Sequence, residues 1–288
     1  MRPVLENKRS KKIWILYAAI FIVCAVGIGV ALYLQHFKDE KIGIAVGITD
    51  KESEEEDEYN ELKADFETKF FTNDLEILQE EQINVQKIRD NFDIVVNAYT
   101  YEKEEENITI EASIPYINIK DNETINRFNH EILTEYKQKA ETLTNQVSTM
   151  NIIYTVQFKA YIQNNILSLA IRSEYKEGAK SQKAMIKTYN YNLTEGREET
   201  IDELLTLKNV TRQQATEKIR SEIKRTQEQN EQLMNETEYT FYNRDYNSNI
   251  YDIQNSKQYF YGKDGMLYII YPYGNEEDTT EMDVVIFI

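Results

Sequence analysis

Side chains suited to nucleophilic or metal chemistry are scarce in this chain: of 288 residues, two are histidine and one is cysteine. His36 and His130 lie far apart, and Cys24 sits inside an apolar run. Thiolate zinc sites and Cys–His catalysis are therefore excluded, and a Ser–His–Asp triad has only His130 to draw on. Gly27 and Gly29 fall in the same apolar run and no Gly-Lys-Ser/Thr sequence occurs, so no phosphate-binding loop is present. Fifty acidic residues make neighbouring carboxylates inevitable by chance, so no pair marks a glycosidase. The acidic block Glu52–Glu58 lacks the Gly-punctuated loop of an EF-hand. The expectation is a non-catalytic protein with no cofactor and no metal site.

Recognition chemistry is better represented. The chain has 21 tyrosines, and they crowd toward the C-terminus. A tyrosine ring offers a flat apolar face and a hydroxyl, a combination that binds sugars and proteins. The stretch Tyr239–Tyr251 and the turn at Tyr271–Tyr273 are therefore candidate recognition surfaces, with Tyr242, Tyr246, Tyr271 and Tyr273 as candidate ligand-binding residues. The competing reading of the same residues is strand-compatible core and rim.

The elements that must hold these residues follow from periodicity. From Phe92 apolar residues alternate through Ile94, Val96 and Ala98, and again through Ile108, Ile110, Ala112 and Ile114, which predicts two paired strands about a polar Glu102–Asn107 loop. Asp121 or Asn122 can cap a helix of about seven turns, with Ile125, Phe128, Ile132, Tyr136, Ala140, Leu143 and Val147 on one face. Strands are predicted over Ile153–Ile162 and Ile166–Tyr175, joined by a tight Asn164-Asn165 turn, and then over Lys183–Asn192. Thr200 caps a short helix, and Thr211 a longer one to about Met234 with Ala215, Ile219 and Ile223 inward. Strands return at Gln258–Tyr261, Met266–Tyr271 and Met282–Ile288, the last too apolar to lie free in water. The fold class is α+β: antiparallel sheets with helices packed on one face, preceded by a single transmembrane helix.

That helix is Ile13–Leu34, 22 positions without a charge. At ~1.5 Å per residue it reaches about 33 Å, enough for a bilayer core. Five basic residues precede it and few follow, so residues 1–12 are a cytoplasmic tail and the chain beyond is exterior, attached to the cell membrane. Residues 35–89 read as an acidic stalk, partly helical in Glu61–Ile88, and residues 90–288 as the exterior α+β domain. The whole chain carries 33 basic against 50 acidic residues, a net of −17. That balance excludes general nucleic-acid binding and favours cationic partners.

Three stretches together carry a family resemblance. Ser168-Leu169-Ala170-Ile171-Arg172-Ser173-Glu174-Tyr175 with Gly178-Ala179, then Asn190-Tyr191-Asn192-Leu193-Thr194-Glu195-Gly196, then Ile201-Asp202-Glu203-Leu204-Leu205 resemble the hairpin, aromatic-Asn strand and short helix of the extracytoplasmic domain in RsiV-type anti-sigma factors. The same domain type precedes the catalytic part of PdaC-type peptidoglycan deacetylases. Tyr259-Phe260-Tyr261 with Asp264–Tyr273 resembles that domain's closing hairpin, and Ile114-Pro115-Tyr116 with the Ile125–Tyr136 helix fits its first half. The likeness covers about Phe92–Ile288. Lys180 stands where the family hairpin commonly has His, and residues 1–12 are too few for a cytoplasmic anti-sigma segment.

The resemblance implies a sensory or ligand-binding module of the bacterial cell envelope, in a family whose best-known member recognises lysozyme. Besides the bilayer, peptidoglycan or a cationic protein such as lysozyme is then the expected partner, and Tyr175, Gly178 and Lys180 of the hairpin join the candidate ligand-binding residues. Two rival functions are a structural subunit of an envelope complex, packing through Cys24, Gly27 and Gly29, and a carboxylate-based glycan hydrolase.

Overall fold

The computed structural model describes residues 50–68, 70–71, 77–78, 85–146, 148–236, 242–273 and 281–288. The cytoplasmic tail and the expected membrane segment Ile13–Leu34 lie outside them. Among the described residues no helix is long and apolar enough to cross a membrane. One compact unit runs from Glu56 to Ile288, so it begins well before the boundary expected at residue 90.

Among the described residues ten strands form two sheets. They are β1 (Ile77–Leu78), β2 (Val95–Glu105), β3 (Ile108–Ile117), β4 (Ile152–Gln163), β5 (Ile166–Glu177), β6 (Lys183–Asn192), β7 (Arg197–Glu198), β8 (Gln258–Tyr261), β9 (Leu267–Tyr273) and β10 (Glu281–Phe287). The larger sheet follows the order β2-β3-β4-β5-β6-β7, with β1 also paired to β4. The smaller is β10-β9-β8.

Local chemistry explains the meander β4–β6. Asn164 and Asn165 take φ of 53° and 59°, the left-handed pair that a two-residue hairpin needs and that asparagine tolerates. The β2–β3 hairpin is tighter than expected. Glu102–Glu105 continue as strand against Ile108–Glu111, because ladder hydrogen bonds accept any residue whose charged side chain can point to solvent.

Between β3 and β4 the chain crosses over through α2 (Glu123–Ile132), a π-helical turn (Leu133–Lys137) and α3 (Gln138–Thr144). Asn122 caps α2 by accepting the Ile125 N–H at 3.0 Å. Ile125, Phe128, Ile132, Tyr136, Ala140 and Leu143 are buried against the larger sheet, as their spacing predicts. A helical crossover returns the next strand parallel, and β3 and β4 do pair in parallel, as do β1 and β4. The expectation of purely antiparallel sheets is corrected accordingly.

The placement of helices on one face is corrected too. The short α4 (Ile201–Leu207) and the long α5 (Arg212–Glu236) cover one face of the smaller sheet, with Ala215, Ile219 and Ile223 against Leu267, Ile269 and Val285. The opposite face, with Tyr268, Ile270, Val284 and Ile286, packs on Tyr59 and Phe66 of α1 (Asp50–Thr68), on Phe71, and on Tyr161 and Ala170 of the larger sheet. Coverage on both faces is the reason for the unbroken apolar run Val284–Phe287. That last strand pairs with β9 at one edge of the smaller sheet.

The helix α1 spans the acidic block Glu52–Glu58, and the helical stretch expected at Glu61–Ile88 ends at Thr68. Its core-facing aromatic residues, not the charge of the block, decide the outcome: burying Tyr59 and Phe66 anchors the helix to the domain.

Candidate functional site

The strand β6 is where the two sheets meet. Thr188 N–H donates to Gln258 Oε1 at 2.8 Å, Tyr259 N–H donates to Thr188 Oγ1 at 3.0 Å, and Asn190 Nδ2 donates to Tyr259 O at 2.8 Å. Side chains thus replace a ladder between β6 and β8. Beyond this junction the chain before β8 peels away from β6 through two 3₁₀ turns, Asn249–Tyr251 and Ile253–Asn255. A groove of about 790 Å³ opens between them. That volume is in the range of small-ligand and peptide sites.

Its lining is mainly apolar. Met185 and Ile186 of β6, Ile250 on the opposite wall, and Ile270 and Met282 of the smaller sheet contribute side chains. Met185 is 42% exposed and Ile250 51%, both large apolar groups left facing water. The polar groups are few. Lys187 bonds Glu135 of the π-helical turn at 2.6 Å and lies 3.6 Å from Glu131. Ser256 and Tyr271 share a hydroxyl hydrogen bond of 2.7 Å. Burial holds the Tyr271 phenol well above its usual range, so it stays neutral and acts as a hydrogen-bonding group.

Of the seven candidate residues, the groove takes in Tyr271 alone. The buried Tyr271 ring meets Tyr251 edge-on at 5.1 Å. Tyr273 lies two residues further along β9, paired with Glu281. Tyr242 and Tyr246 sit on the segment after α5. The carbonyl of Tyr242 accepts from Arg244 Nη1 at 2.9 Å, while Tyr246 is half-buried with Lys224 Nζ 5.9 Å from its ring.

Tyr175, Gly178 and Lys180 gather at the turn after β5. The Lys139 ammonium lies 4.0 Å from the centre of the Tyr175 ring and 4.9 Å from that of Tyr154, a cation between two aromatic faces. Burial, aided by the nearby Lys183 charge, lowers the Lys139 pKa. Gly178 takes φ of +57° and its N–H bonds Asn151 O at 2.7 Å, and Lys180 is exposed and paired with Glu177 at 2.7 Å. The role of Gly178 is therefore conformational.

The sequence reading missed Glu135, Met185, Lys187 and Ile250. One signal was available: Ala184-Met185-Ile186 is a consecutive apolar run, whereas a strand covered on one face alternates. Among the described lining residues Glu135 is the one acid, and it pairs with Lys187. No group of three or more His, Cys, Asp or Glu among the described residues is arranged to hold a metal.

No protein-family model matches the chain, and no curated protein matches it by sequence. Among solved structures, a member of the DUF3298 family from Bacteroides fragilis is similar at 15% identity and a TM-score of 0.33, over 67% of this chain and 87% of that one.

Proposed function

We propose that this protein is a membrane-anchored, extracytoplasmic ligand-binding or sensory protein of the bacterial cell envelope, non-catalytic, and resembling the lysozyme-sensing RsiV exterior domain. The observation that carries the reading is the apolar groove beside β6: a concave surface with exposed Met185 and Ile250, one ion pair and one hydroxyl pair. Exposed apolar side chains gathered in a concavity favour an occupant. The charge-free segment Ile13–Leu34 supports the anchor, and the net charge of −17 supports a cationic macromolecule such as lysozyme, or peptidoglycan with its short peptides, as the partner.

The test is calorimetric titration of the full chain in lipid nanodiscs with lysozyme and, separately, with muropeptides. Binding by one of them, weakened tenfold or more in the Met185→Glu/Ile250→Asp variant, is expected. No heat with either, or binding that the variant leaves untouched, refutes the reading.

A further inference from the structure

The groove has a property that its apolar walls do not explain: one wall is an open strand edge. Thr188 N–H and Asn190 C=O point away from β5, toward Gln258 Oε1 and Glu199 N–H respectively. The period-two pleat then turns the N–H and C=O of Ala184 and Ile186 to the same outer edge, where β7 and β8 no longer reach. Among the described residues no hydrogen-bond partner meets these four groups. An edge whose main-chain groups face a groove in this way is a template for a further strand.

We infer that the occupant is an extended polypeptide segment, which adds as a strand to the β6 edge between Lys183 and Lys187 and carries an acidic side chain toward Lys257. The inference rests on the groove being the ligand seat. The open stretch is about 13 Å long and offers donors and acceptors at a repeat of ~6.8 Å, the spacing of a β-strand and of no sugar or lipid. A strand placed there sends alternate side chains to two apolar surfaces: Met185 beside the Glu135–Lys187 pair on one side, and Ile186, Ile270 and Met282 on the other. Lys257 is exposed on the facing wall with no ion pair among the described residues, so the lining keeps one uncompensated positive charge on a molecule that is otherwise strongly anionic. That charge selects a carboxylate on the incoming segment.

The experiment uses the full chain in nanodiscs and a library of end-blocked heptapeptides. Each has apolar residues at alternate positions, Thr or Ser between them, and Asp or Glu at one end. Retained peptides are then made as two N-methyl isomers, methylated on alternate amides, so that one isomer loses the donors facing β6 and the other does not. The expected result is retention of acid-bearing peptides and a difference of about tenfold or more between the isomers, the effect of losing two main-chain hydrogen bonds. Lys257→Glu is expected to weaken the acid-bearing peptides several-fold at low salt. Retention of no peptide, or equal binding of the two isomers, overturns strand addition. Lysozyme or muropeptide binding without peptide binding leaves the groove a ligand seat and removes this mode of occupancy.

Discussion

Replacing one partner of the buried Arg244–Asp283 pair should be among the most damaging single changes to this domain. The guanidinium Nε lies 2.8 Å from Asp283 Oδ2, and the two side chains are 3% and 5% exposed. Arg244 also ties three segments together: its N–H donates to Gln227 Oε1 of α5 at 2.8 Å, Nη1 donates to the Tyr242 carbonyl at 2.9 Å, and Asp283 sits opposite Tyr271 across the β9–β10 ladder. Asp283→Ala removes the buried carboxylate that faces the guanidinium, at a cost of about 3–5 kcal/mol. That is a large part of the ~5–15 kcal/mol by which domains are stable. Arg244→Met strands the carboxylate at a similar cost. The double variant Arg244→Met/Asp283→Leu removes both charges and fills the space with apolar groups, so it should lose only about 1–2 kcal/mol. Urea unfolding followed by far-ultraviolet circular dichroism measures all four proteins. The cycle should show coupling of at least ~2 kcal/mol, and costs that add to within about 0.5 kcal/mol would refute the pair as an energetic unit.

Three further outcomes are expected. The Arg197 guanidinium, with the Thr200 cap, lowers the Glu203 carboxyl from 4.5 to about 2. A depressed carboxyl contributes stability that is present above its ordinary value and lost as pH falls from about 4.5 toward 2. With a third of the Glu203 side chain exposed, Glu203→Gln should cost ~1 kcal/mol at pH 7, a difference that narrows below about pH 4.5 and closes as pH reaches about 2 in acid titrations of stability. Asn165→Val places a β-branched residue at φ of 59° and should lose about 1–2 kcal/mol, read as a lower melting temperature; an unchanged melt would mean that the turn has rearranged. Gly262→Ala sets a Cβ 2.8 Å from the Tyr268 ring and 3.1 Å from the Phe260 ring, and overpacking there should cost about 1–3 kcal/mol in the same assay.

Much of the architecture was legible locally, because it is produced locally. The Asn164-Asn165 turn joins β4 to β5, and Asn122, Thr200 and Thr211 start their helices by bonds to residues three positions on. Such features depend on neighbouring residues alone, and the alternation of strands and the 3.6 period of helices follow the same short range. The recognition residues were less legible. Tyrosine abundance singled out Tyr242, Tyr246, Tyr271 and Tyr273, yet Tyr271 alone reaches the groove, since abundance does not reveal which ring ends beside which cavity.

By itself, then, the sequence determined the α+β class, most strands and helices of the domain, the strong negative charge, and the scarcity of His and Cys. Only the tertiary structure decided that α1 belongs to the core, that helices cover both faces of the smaller sheet, and that β6 keeps an open edge along a groove. These features join Glu135, Met185, Ile250 and Met282, residues far apart along the chain. Their meeting depends on how two sheets and a peeling loop pack, a long-range balance of burial and strand pairing that no local pattern encodes.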